Sequence, residues 1–206
     1  MEVSSLTDTF AVKYDVNVIN KLIRGRRSIF PRDYTAEKVD DAIVEQILFN
    51  ATWAPTHKVT QPWRFMVFTG EGLKKLAEFQ GECYKQVATA RGKFEQDKYE
   101  GLLTKPMLSS HIISIGMKRD EKKSVPELEE IGAVYCAVQN MYLTATAYGL
   151  GAYLSTGGIT FYEEAKPFFE LGAEDKLLGF FHIGNTNYTP PDSKRKGLDA
   201  VSRWVR

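Results

Sequence analysis

The chain has 206 residues, a formal net charge of +1, an ordinary apolar share of 43% and two cysteines. That length suits one domain spanning 1–206, the near-neutral charge gives no bulk electrostatic case for nucleic acid or an acidic membrane, and no apolar run approaches the length of a membrane span. Cys83 and Cys136 lack CxxC spacing and give neither a zinc signal nor a disulfide framework; free thiols, with no secretory-type N-terminus, point to a soluble cytoplasmic protein.

Residues 1 to about 14 carry no clear period and read as a flexible arm. A helix is expected from about Val16 to Arg24, with Ile19, Leu22 and Ile23 on its apolar face. Asp15 or Asn17 can cap it and Gly25 can end it. Arg26-Arg27-Ser28 follows at once. Guanidinium forks donate paired hydrogen bonds to phosphate oxygens and a serine adds one more, so this run is a candidate phosphate grip; a solvated basic turn is the plainer reading. Thr35 can cap a second helix, whose face is marked by Val39, Ala42, Ile43, Gln46, Ile47, Asn50 and Ala51. This helix must stop near Pro55.

The stretch Trp53 to Phe65 packs two indoles, two prolines, an imidazole, an amide and two cations into one short run. Prolines stiffen it and forbid a regular helix, so it can hold side chains ready for a ligand. It can equally be a connector whose tryptophans plug the core. Phe65–Thr69 reads as a buried strand, and Leu73, Leu76, Ala77, Phe79 and Gln80 suggest another helix. Residues 85–105, charged and weakly periodic, read as an exposed helical excursion that could act as a lid and ends at Pro106.

His111–Met117 reads as a core strand. Ser124 and Glu127 have capping-box spacing, opening a helix with Leu128, Ile131, Tyr135, Val138, Met141 or Tyr142, and Ala145 on its core face. Small residues around much of the cylinder indicate a helix buried at the centre of the domain or of a dimer. It runs into Gly149-Leu-Gly151-Ala-Tyr-Leu-Ser-Thr-Gly157-Gly158. A dinucleotide fingerprint would need glycine where Leu154 stands and a strand beforehand. The run is therefore read as a helix stop, a short strand and a glycine loop that lets backbone approach a flat ligand. Thr160 and Glu163 can cap one more helix, interrupted by Pro167. Lys176–Gly184 reads as the last core strand, and a basic tail, Ser193-Lys-Arg-Lys196, follows Pro190-Pro191. His111 and His182 sit in apolar strand-like runs and read as satisfied core residues, with no metal site expected.

Three separated pieces resemble the nitroreductase family of flavoproteins, nearest its small single-domain subgroup. They are Arg26-Arg27-Ser28 after a first helix, Ala54-Pro-Thr-His-Lys-Val-Thr-Gln-Pro-Trp63 after a second, and Gly149 to Gly158 after a long buried helix. The likeness extends to Leu178–Gly184 and the basic residues near the C-terminus. It implies an α+β fold, with a mostly antiparallel central sheet flanked by helices, in an intertwined homodimer whose FMN sites draw on both chains. It implies that Arg26, Arg27 and Ser28 hold the FMN phosphate and ribityl end, joined by Arg195. Gln61 would face the flavin; Trp53, Pro55, Thr56 and His57 would reach the flavin of the partner subunit; and Leu154, Ser155, Thr156 and Gly157 would run over its ring. The implied reaction passes hydride from NAD(P)H through flavin N5 to a small acceptor such as a nitroaromatic or quinone at one shared face. The cofactor then carries the chemistry, and no side chain is nominated as acid or base. His57 could donate a proton or hydrogen bond, or be structural.

Two departures stand out. The family's RRSxR pattern has Phe30 at its last position here, with Arg32 two residues on. A Trp-Arg-Ser-type run is replaced by Leu154-Ser155-Thr156. The other functions compatible with the chain are a narrower reductive dehalogenase or enone reductase, a non-enzymatic flavin-storage dimer, and a basic-patch interaction protein without cofactor.

Overall fold

A computed structural model describes residues 14–206; the N-terminal arm expected at 1–14 lies, apart from Tyr14, outside the described residues. Its centre is a four-stranded sheet in the order β1-β2-β4-β3, built from β1 (Trp63–Thr69), β2 (His111–Met117), β3 (Gly151–Ser155) and β4 (Lys176–Gly184). Every neighbouring pair is antiparallel, as the α+β expectation requires.

Side chains alternate across the strands, so the sheet has two packed faces. Ile113, Ile115, Phe181 and Ile183 point to one face, where α2 (Asp41–Ala51) and α5 (Glu127–Ala147) cover them with Val44, Ile47, Val134, Val138 and Met141. Ile112, Phe180 and Phe68 point to the other, under α3 (Glu71–Ala90) and the 3-10 segment Glu163–Phe169. The last helices are α1 (Val16–Gly25) and α4 (Gln96–Thr104).

Strand ends match the apolar runs for β2 and β4. The helix starts differ more. Asp15 Oδ1 accepts from the Asn17 amide at 2.8 Å, settling the cap of α1. Thr35 does not cap α2: its amide donates to the Asn185 carbonyl, and Asp40 caps instead by accepting from Ala42 N at 2.9 Å. The capping box at α5 does not form either. Asp120 captures the Ser124 hydroxyl at 2.6 Å, and Pro126 takes the N-cap position. Thr160 donates its hydroxyl to the Gly157 carbonyl and leaves the segment after it uncapped and 3-10. Helix α3 continues past Gln80 to Ala90 because Cys83, Tyr84, Val87 and Ala88 keep one face buried. The 85–105 stretch therefore holds the end of α3 and the exposed α4.

Helices α5 and α1 also differ from expectation in what they leave bare. Leu128 is 78% exposed and Tyr135 41%, although both were placed on the core face. Ile19 and Ile23, on the apolar face of α1, are likewise exposed.

The site end of the sheet is organised by Tyr34. Its hydroxyl donates to the Ile29 carbonyl at 2.9 Å and also approaches the His182 carbonyl at 3.3 Å. Its ring packs against β3 and β4 where they carry glycine. A Cβ on Gly151 would come within 2.5 Å of that ring, and one on Gly184 would collide with it.

Candidate functional site

The Arg26–Ser28 segment leaves α1 and runs to the free edge of β3, where the Ile29 amide donates to the Ala152 carbonyl at 3.0 Å. The Arg26 guanidinium lies over the Tyr142 ring, 5.0 Å from its centroid, and has no hydrogen-bond acceptor among the described residues. The Tyr142 hydroxyl in turn accepts from the Leu154 amide at 2.7 Å. One side chain of α5 thus ties the arginine segment to the strand that carries Leu154 and Ser155. Arg27 donates to the carbonyls of Arg24 at 2.6 Å and Arg26 at 3.0 Å, and through Nε to Pro191 at 3.4 Å. That last contact brings the start of the basic tail to the same place. Ser28 is exposed. Arg195 is exposed too, and its guanidinium is bonded within the tail to the Ser193 hydroxyl and the Lys194 carbonyl.

The Trp53 loop lies elsewhere, clamped to the N-terminal end of α5. His57 pairs through Nδ1 with the Glu129 carboxylate, and Lys58 Nζ donates to the Ser124 carbonyl at 2.8 Å. Thr56 Oγ1 accepts from the Gln61 amide at 3.2 Å and closes the loop. Lys58, Val59 and Gln61 have φ of 51°, 56° and 44°. Non-glycine residues in that region cost about 1–3 kcal/mol each. Trp53 is 62% exposed and meets Phe49 edge-on, so it does not plug the core; Trp63 does. Pro55 is exposed as well.

Leu154, Ser155, Thr156 and Gly157 form the end of β3 and the turn after it. Ser155 and Gly157 line a cavity of about 440 Å³, which opens between this strand end, the Phe30–Arg32 segment and α4. The structure thus gathers the glycine run and the neighbour of the arginine segment around one space. None of the residues 53–61 lines it.

The two strand histidines part ways. His111 has a partner on each nitrogen, Ser110 Oγ at 3.0 Å and Asp41 Oδ1 at 2.9 Å, and burial holds its pKa below the usual range against the opposing pull of Asp41. His182 has one partner, Ser109 Oγ, 3.0 Å from Nδ1. Burial pushes its pKa down to about 4, and it lines the cavity. It is a satisfied core residue on one nitrogen only. Gln80, Lys98 and Lys105 also line the cavity. The sequence alone does not mark them as site residues, because they stand on α3, α4 and the 3-10 segment Lys105–Leu108, away from any motif. The one signal was a polar residue, Gln80, on the apolar face of α3.

The family model described as the nitroreductase family matches residues 23–185. YdjA of Escherichia coli (strain K12), provisionally named an NAD(P)H nitroreductase, is 30% identical over 141 residues, which cover 68% of this chain and 74% of that protein. A nitroreductase-like family protein from Bacillus cereus superimposes with a TM-score of 0.78 at 25% identity, over 94% of this chain and 98% of that one. A structure from Desulfovibrio desulfuricans, described as a nitroreductase in complex with FMN, superimposes with a TM-score of 0.69 at 25% identity, over 94% and 99%. By family match, sequence relatives and fold, this chain belongs to the nitroreductase family.

Proposed function

We propose that the protein is an FMN-dependent oxidoreductase that takes hydride from NADH or NADPH and reduces a small acceptor such as a nitroaromatic or a quinone. The observation that carries this is the junction at Tyr142, where an arginine with no acceptor among the described residues stands beside the strand that leads to the glycine turn. A guanidinium without an acceptor among the described residues fits a phosphate, and an open strand end with glycines fits a flat ring. The residues present therefore suit FMN. Arg26, Arg27, Ser28 and Arg195 would hold its phosphate and ribityl end, and Leu154, Ser155, Thr156 and Gly157 would face its ring. When bound, FMN supplies the hydride-transfer chemistry. The chain's own part is to bind, orient and exclude water, and no side chain is assigned as acid or base.

A homodimer is proposed with it. Ile19, Ile23, Phe49, Trp53, Leu128 and Tyr135 are exposed apolar side chains on or beside α1, α2 and α5, the kind of surface a partner subunit covers. In such a dimer Trp53, Pro55, Thr56, His57 and Gln61 would serve the flavin of the other copy, which accounts for a costly loop conformation remote from its own chain's cavity. A cytoplasmic location suits the two free thiols, Cys83 and Cys136.

The test is steady-state oxidation of NADH and of NADPH with a nitroaromatic or quinone acceptor. Turnover that tracks FMN content is expected. FMN bound without turnover would favour a storage role.

A further inference from the structure

Toward the β1 edge of the sheet, a second pocket of about 180 Å³ opens between β1, β2 and the turn that follows the 3-10 segment Glu163–Phe169. It shares no lining residue with the cavity beside β3, and none of the residues assigned above to FMN lines it. Its floor is Ser114 of β2, which stands opposite Met66 of β1 and Phe180 of β4. Ile112, two residues back and so on the same face, is aliphatic core. Ser114 is 3% exposed, and its hydroxyl has no hydrogen-bond partner among the described residues. Among those residues the unpartnered polar atom sealed in protein is Thr35 Oγ1. The Ser114 hydroxyl therefore reaches open space, and the space it lines is this pocket. Buried polar groups are almost always paired, and an unpaired one gives up its water without compensation. Gly116, next along this face, leaves the floor without a side chain. A Cβ there would stand 3.1 Å from Leu171 Cδ2 and 3.2 Å from the Arg64 carbonyl oxygen.

The rim carries charge. Arg64 has Nη1 committed to the carbonyls of Gln61 at 3.1 Å and Trp63 at 2.7 Å. Those bonds fix the guanidinium and leave Nε and Nη2 as donors. Lys118, just past β2, is held by its backbone amide, which donates to the Pro62 carbonyl at 2.8 Å. Its ammonium has no acceptor among the described residues. Glu170 is the one carboxylate in the lining, on a left-handed residue with φ of 57°. It lies within ion-pair distance of neither cation. Two cations against one acid leave the pocket with an excess positive charge, which draws an anion.

We propose that this pocket binds a small tetrahedral oxyanion of the phosphate or sulfate class. The Ser114 hydroxyl, the free edge of the Arg64 guanidinium and the Lys118 ammonium donate to it. Donors from β1, from the middle of β2 and from beyond its end match oxygens that spread in several directions, and charge-assisted bonds of this kind are the strong ones. The volume is below that of a pocket for a drug-sized ligand and suits an ion of few heavy atoms. Glu170 opposes the ion and limits its affinity. This site is independent of the proposed redox function.

The test is titration of the purified protein, with its cofactor bound, against inorganic phosphate at constant ionic strength, followed by phosphorus NMR line width. Saturable binding of one phosphate per chain is expected. Ser114→Ala should weaken it about tenfold, the worth of a hydrogen bond to a charged group. Lys118→Gln should weaken it several-fold and flatten its salt dependence, while Glu170→Gln should tighten it. FMN content should stay unchanged in all three. Acetate, a planar anion, should bind more weakly than phosphate. Methyl phosphate separates a free ion from the end of a larger phosphomonoester: binding of either supports the site, and the tighter of the two names its source. No saturable binding, acetate binding as tightly as phosphate, or affinity untouched by Ser114→Ala and Lys118→Gln would overturn the proposal. So would phosphate binding lost on replacing Arg26 and Arg27 but kept in Ser114→Ala, since the ion would then occupy the cofactor's place.

Discussion

The two ends of α5 present two unlike pieces of machinery. At its N-terminal end the Trp53 loop is clamped by Glu129 and the Ser124 carbonyl, carries left-handed Lys58, Val59 and Gln61, and turns its indole outward. Near its C-terminal end Tyr142 joins Arg26 to Leu154, close to a cavity enclosed by this chain alone. The first region holds strain and exposed aromatic surface without enclosing anything. The second encloses space but holds unmatched cations and polar groups. On the function proposed above, the first meets the partner subunit and the second serves the cofactor.

The largest expected effect breaks the Tyr142 junction. Replacing Arg26 and Arg27 together by alanine removes two charge-assisted contacts to the proposed phosphate, each worth about 1.5–3 kcal/mol. FMN affinity should fall by about a hundredfold or more, read by equilibrium dialysis. Unchanged affinity would return the pair to solvated surface.

A pH titration of stability sharpens the cavity side. His182 has a folded pKa of about 4 against about 6.5 when unfolded. The unfolded chain therefore takes up a proton as pH drops below about 6.5, while the folded chain resists until about 4. Stability from this group is complete above pH 6.5 and drains between those limits, by at most about 3 kcal/mol. Chemical denaturation of wild type and His182→Gln across pH 7 to 4 should show a shallower fall in the variant. Parallel curves would show that burial does not shift this imidazole.

The packing that positions the cavity can be broken separately. Gly184→Ala drives a methyl into the Tyr34 ring and should cost about 1–3 kcal/mol of stability by overpacking. A thermal melt unchanged from wild type would mean that Tyr34 is free to move. The smallest effect belongs to the loop: Thr56→Val removes the acceptor for the Gln61 amide and should cost about 1 kcal/mol. If the loop serves a second copy, this variant should also raise the FMN dissociation constant several-fold.

The sequence made some of this visible and hid the rest for physical reasons. Strands β2 and β4 are short apolar runs bounded by turn signals, and their ends coincide with the ends of those runs. Local hydrogen bonds misled where two side chains compete for one role. Ser124 has the right spacing for a capping box, but Asp120 takes its hydroxyl first. Leu128 and Tyr135 follow the helical period of α5 and still face outward, because periodicity marks an apolar face without saying which neighbour covers it. The motifs at Arg26–Ser28 and Leu154–Gly157 stand out in the sequence because each is contiguous. The cavity does not: its lining comes from α3, α4, β3, β4 and the Phe30–Arg32 segment, which only the fold brings together.

The most direct measurement is the visible absorption spectrum of the purified protein, followed by heat release and identification of the chromophore. A yellow protein that yields FMN in stoichiometric amount is the predicted result. A colourless protein that stays colourless after incubation with FMN would contradict the account at its centre, and Arg26 and Arg27 would then need another partner.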